Sequence, residues 1–65
     1  MEFGTNLKWF RKNKRLNQSQ LAGVLGVNQR TISAWERGVC EPDLRTLIKL
    51  RKIFNVSIDA LVGGN

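Results

Sequence analysis

The side chains best suited to recognition chemistry lie close together, in the run from Gln29 to Arg37. A glutamine amide sets a donor beside an acceptor, and an arginine guanidinium sets two donors in parallel. These groups can meet the N6/N7 edge of adenine or the O6/N7 edge of guanine with paired hydrogen bonds. An alanine or a threonine methyl suits the methyl of thymine. On a helix turning about 100° per residue, Ile32, Trp35 and Glu36 share one side. Arg30, Ser33, Ala34 and Arg37 share the other, with Gln29 at the exposed amino-terminal end. That outward face is polar, short-chained and basic, with no acid. A merely solvated face more often mixes Glu with Lys.

Catalytic chemistry finds no comparable cluster. The chain has no histidine and one cysteine, Cys40, which can make no internal disulfide and has no partner for a metal site. Cys40 reads as a free thiol in a loop, suited to a reducing compartment. Glu36 stands without a neighbouring histidine, cysteine or second acid, so it reads as structural. No glycine-rich phosphate loop or nucleophile–base pair is present. We therefore expect a protein that is not an enzyme and uses no cofactor and no metal.

The elements needed to present Gln29–Arg37 can be read from caps and periodicity. Leu7, Phe10 and Arg11 define a helix from Thr5 to about Lys14, with Phe3 leading in. Asn17 and Gln20 form a capping box before Gln18–Leu25, and Gly26 can take the positive φ that stops that helix. Asn28 caps the next, Gln29 to about Arg37, which Gly38 ends. Asp43 caps Leu44–Phe54, with Leu44, Leu47, Ile48 and Phe54 facing inward, and Ser57 caps a last turn, Ile58–Val62. The fold expected is all-α: a compact bundle of five short helices in one domain, residues 1–65, with residues 63–65 frayed. Helices 2 and 3 form a helix-turn-helix. Their tight turn makes them cross steeply, so Ala22 must be small and Leu21, Leu25, Val27, Ile32 and Trp35 must be apolar.

The charge agrees with the face. From Phe3 to Trp35 there are six basic residues (Lys8, Arg11, Lys12, Lys14, Arg15, Arg30) and no acid, within a chain of 65 residues and net charge +6. Such a field favours polyanions. No apolar run approaches the ~20 residues of a membrane span, and no secretory signal is present, so no membrane association is expected.

Taken in order, these residues resemble the phage repressor/Cro-type helix-turn-helix family, also called the xenobiotic-response-element family. The matching residues are Leu16-Asn17-Gln18, Leu21-Ala22, Gly26-Val27, Thr31-Ile32-Ser33, Trp35-Glu36-Arg37-Gly38, Pro42 and the Asn55–Leu61 tail. The resemblance implies double-stranded DNA as partner, with the second helix of the motif in the major groove of a near-palindromic operator. It implies base reading by Gln29, Arg30 and Ala34, with Thr31 and Ser33 beside them. Asn17 and Gln18 then touch phosphate, helped by their helix amino terminus. Asn28, Arg37, Lys12, Lys14 and the Trp35 indole N–H add phosphate contacts. The resemblance also implies a structural ion pair, Arg11–Glu36, and a homodimer through Ile58, Leu61 and Val62, for which plain core is an equal alternative at Ile58 and Leu61. A cytoplasmic repressor, bacterial or phage-encoded and acting on the nucleoid, is the expected type.

Three positions depart from the family's pattern. Trp9 replaces a polar residue and has three open readings: exposed, covering a neighbouring helix, or joining a partner surface. Arg51 falls on the inner side of its helix and must snorkel outward or pair, with Asp59 as candidate. Val39-Cys40-Glu41 lacks basic residues for phosphate. The rival class is a protein-interaction module of the same fold, such as an antitoxin-like or adaptor domain; the acid-free face argues against that as the sole role. A chain this short leaves no room for a ligand-sensing domain, so no small-molecule ligand is expected.

Overall fold

The computed structural model describes residues 2–63. Among the described residues the regular structure is helical: α1 (Phe3–Asn13), α2 (Gln18–Leu25), α3 (Gln29–Glu36), α4 (Leu44–Phe54) and α5 (Ile58–Val62). This is the expected all-α bundle, with boundaries shifted by a residue or two at α1 and α3.

The caps form where their residue types place them. The Asn17 side chain accepts from the Gln20 N–H at 2.7 Å, and the Gln20 side chain accepts from the Asn17 N–H at 2.8 Å. Together they satisfy donors that a helix start otherwise leaves unpaired. Asn28 accepts from the Arg30 N–H, Asp43 from the Thr46 N–H and Ser57 from the Ala60 N–H. The Thr46 side chain, and after it the Thr46 N–H, hold the Asp43 carboxyl below its ordinary 3.8. Gly26 closes α2 in the left-handed region at φ +76°. There the Gly26 and Val27 N–H groups both donate to the Ala22 carbonyl, at 2.8 and 3.0 Å. A side chain at Gly26 would strain the turn that sets the α2–α3 crossing.

Spacing by four residues puts Phe3, Leu7 and Arg11 on the inner face of α1. Phe3, Leu7, Leu21, Ile32, Leu50 and Leu61 are fully buried, and Ala22, Leu25, Trp35 and Phe54 complete the core. Phe3 meets Trp35 edge-on, and Phe10 stacks on Phe54 with ring centroids 5.9 Å apart. The α2–α3 wedge is filled as its packing requires, with Val27 half-buried against the core.

Helix α4 differs from expectation. Leu44 and Ile48 are exposed (66% and 40%), while Leu50 is fully buried beside Phe54. The stripe that packs is Leu47, Leu50 and Phe54, with Ile53 at its edge. On that register Arg51 lies outside and exposed, so it needs neither snorkelling nor Asp59. Trp9 is 61% exposed, with one ring edge against Phe10.

Helices α1 and α5 are tied by one side chain. The Asn6 amide donates to the Leu61 carbonyl at 2.9 Å and to the Gly63 carbonyl at 2.8 Å, capping the end of α5. Gly63, expected to fray, is held by this bond and by its own N–H to Asp59; residues 64 and 65 lie outside the described residues. Asn6→Ala is expected to cost about 1–2 kcal/mol, the net worth of two hydrogen bonds. Asn6→Asp, which cannot donate when ionised, should lose as much. Urea unfolding of both variants checks this.

Candidate nucleic-acid interface

The amino termini of α2 and α3 are brought side by side by the Gly26 turn. Asn17 and Asn28, the caps, are exposed, as are Gln29 and Arg30. Neither α2 nor α3 has an acid in its first turn. The capping box at α2 satisfies the Asn17 and Gln20 N–H groups, and Asn28 satisfies those of Arg30 and Thr31; the first-turn N–H groups that remain, with the helix dipoles, favour an anion.

On α3 the two faces separate as the sequence suggests. Ile32 and Trp35 are buried, and Arg30 and Arg37 are exposed. Thr31, Ser33 and Ala34 are half-buried, so only part of each is open to a partner. The Arg37 Nε donates to the Ser33 hydroxyl oxygen at 3.3 Å, one turn back. Lys12 and Lys14 are exposed on and just beyond the end of α1. Trp35 is 5% exposed and belongs to the core. No buried side-chain N or O among the described residues lacks a partner. The Trp35 indole N–H donates to no described group and is not a buried, unpaired donor.

Beneath this surface lies the ion pair expected at Arg11 and Glu36. The Arg11 Nε donates to Glu36 Oε2 at 2.6 Å and Nη2 to Oε1 at 3.1 Å, with the two side chains 9% and 4% exposed. The third guanidinium nitrogen, Nη1, donates to the Leu16 carbonyl at 2.8 Å. This fork locks α1 to the end of α3 and to the segment leading into α2. Close approach there depends on Gly4, where a Cβ would stand 2.6 Å from the Trp35 carbonyl oxygen.

One connection was not read from the sequence. The Gln18 Nε2 donates to Glu36 Oε1 at 3.1 Å, and Gln29 Nε2 donates to Gln18 Oε1 at 3.4 Å. In sequence, a place at a helix start already accounts for Gln18. The signal available was Glu36 itself, since a carboxylate on an apolar face needs several donors and a single arginine does not fill it. At the other end of the molecule Leu61 is 0% exposed. It faces the chain's own core through α5's contact with α1 and α4, as in the plain-core alternative given for it. Ile58 and Val62 are half-buried.

The helix-turn-helix family model matches residues 7–61. The chain belongs to this family, in its phage repressor/Cro-type (xenobiotic-response-element) form. Among its relatives is the uncharacterized HTH-type transcriptional regulator YqaE of Bacillus subtilis, 44% identical over 62 residues, covering 95% of this chain and 53% of YqaE. The chain thus spans about half the length of that relative. A transcriptional regulator from Listeria innocua superposes with a TM-score of 0.89 at 38% identity, covering 97% of this chain and 59% of that one. The P22 c2 repressor protein in complex with synthetic operator 9T superposes with a TM-score of 0.89 at 32% identity, covering 100% of this chain and 98% of that solved chain.

Proposed function

We propose that this chain binds double-stranded DNA sequence-specifically, as the DNA-reading domain of a small transcriptional regulator of the repressor type. The observation that carries this reading is the exposed, acid-free amino terminus of α3, with Gln29 and Arg30 outermost. It stands beside the capped amino terminus of α2. Likeness to a repressor seen with its operator supports the same arrangement, with α3 entering the major groove. In this reading Gln29, Arg30 and Ala34 meet base edges, with Thr31 and Ser33 at their margins. Asn17, Gln18, Asn28, Arg37, Lys12, Lys14 and the Trp35 N–H hold phosphates.

The chain acts by occupancy and not by catalysis, as a homodimer on half-sites about one helical turn apart. In this reading Ile58 and Val62, with exposed Leu44 and Ile48 on α4, form the dimer contact. Its place of action is the cytoplasm, on the nucleoid.

Selection of bound sites from random duplex DNA tests this directly. Arg30→Ala is expected to erase a guanine preference at one position of each half-site, worth about 1–3 kcal/mol. Uniform weakening at every position would assign Arg30 to phosphate instead. Affinity should also fall steeply with added salt. A salt-insensitive chain would favour a protein-binding role.

A further inference from the structure

Helices α1, α2, α3 and α4 end in the same way. Just past each helix an apolar residue's N–H reaches back to a carbonyl in the last turn. Leu16 donates to Arg11 at 3.1 Å, Val27 to Ala22 at 3.0 Å, Val39 to Ala34 at 2.9 Å and Val56 to Arg51 at 3.0 Å. This closure requires a left-handed residue immediately before the apolar one. Gly26, Gly38 and Asn55 supply it at φ +76°, +77° and +55°. Glycine and asparagine are the types that enter this region at least cost. At the end of α1 the left-handed residue is Arg15, at φ +60°. Its Cβ crowds the following carbonyl oxygen, and a glycine would close the same turn with less strain.

Nothing inside the chain compensates for that choice. The Arg15 side chain is exposed, and no group among the described residues pairs with its guanidinium. No acid lies between Phe3 and Trp35. Both Glu36 oxygens are held by Arg11 and Gln18. The backbone beneath Arg15 is nevertheless fixed. The Leu16 carbonyl accepts from Arg11 Nη1 at 2.8 Å, and that guanidinium is clamped to Glu36 at the end of α3. An unpartnered cation thus stands on a rigid support, two residues before the Asn17 cap. Strained backbone of this kind persists where a ligand makes use of it.

We infer that Arg15 is a further DNA contact, a cation kept against the backbone's preference for glycine because its guanidinium holds a phosphate of the duplex. The inference rests on the DNA-binding reading above and adds Arg15 to the residues that hold the backbone of the double helix. A guanidinium sets two parallel donors against two phosphate oxygens. Phosphates are alike at every base pair, so Arg15 contributes affinity and no sequence preference.

Arg15→Gly tests this because its two effects have opposite signs. Without DNA, its melting midpoint should rise by about 2–6 °C as the strain is relieved. Its affinity for the duplex selected by the wild-type chain should fall about three- to tenfold near about 0.1 M salt. The slope of log affinity against log salt should lessen by about 0.9 for each bound copy. Duplexes of different sequence should lose affinity in equal proportion. Arg15→Lys, which keeps both the charge and the left-handed Cβ, should melt with the wild type and retain its salt slope. An Arg15→Gly chain with wild-type affinity and slope would overturn the inference. So would a lower melting midpoint, since the arginine would then be stabilising the fold itself. A loss confined to one base pair would overturn it in favour of base reading. A wild-type chain that ignores duplex DNA would sink the DNA-binding reading, and this inference with it.

Discussion

Glu36→Ala is expected to lose about 3–5 kcal/mol of folding stability, the cost of leaving a buried charge without its partner. The Arg11 side chain is 9% exposed, and its fork would face a void. A domain of 65 residues commands roughly 3–10 kcal/mol in total, so the variant should be largely unfolded near 37 °C. Chemical denaturation at neutral pH checks the magnitude. The double variant Arg11→Met/Glu36→Leu separates charge from packing. Replacing both partners with apolar groups of similar size should recover much of the loss, because no stranded charge remains. A Glu36→Ala chain with an unchanged midpoint would mean that the pair is solvated in practice and that α1 and α3 are held by apolar contacts alone.

Gly4→Ala carries the second large effect, and its sign is the test. In an ordinary helix interior this change stabilises by about 1 kcal/mol. Here the added Cβ would lie 2.6 Å from the Trp35 carbonyl oxygen and 2.7 Å from that of Glu36. Both are backbone atoms in the last turn of α3, which cannot retreat without breaking its own hydrogen bonds. The first turn of α1 must move instead and draw Phe3 and Leu7 out of the core. A net loss of about 1–3 kcal/mol follows. Thermal unfolding measures it, and a rise in midpoint would show that α1 can shift freely against α3. The same displacement would stretch the Arg11–Glu36 fork, so Gly4→Ala and Glu36→Ala should combine less than additively.

Much of this was legible in the sequence because the signals are local. Asn17, Asn28, Asp43 and Ser57 announce helix starts within three residues, and Gly26 announces a stop. The ion pair was legible because Arg11 and Glu36 sit on faces that are otherwise apolar. Helix α4 is ambiguous in the sequence because its apolar residues, at 44, 47, 48, 50, 53 and 54, fit two overlapping stripes. Only the neighbouring helices decide between them, and they bury Leu50 and leave Leu44 and Ile48 outside. The bond from Gln18 to Glu36 joins residues 18 apart, and Asn6 to Leu61 joins residues 55 apart. Periodicity has no reach over such separations. The role of Gly4 is equally hidden, since a glycine kept for proximity looks like any other until the opposing backbone is in place.

The clasp between Asn6 and the end of α5 also bears on the order in which the chain assembles. Contacts between α2 and α3 close short loops at small entropic cost, whereas the clasp encloses nearly the whole chain and is costlier to close. Docking of α5 against α1 is therefore expected to come late, and its release to come first. Its amides should lose protection from deuterium exchange through partial opening, while those of Leu21 and Ile32 wait for complete unfolding.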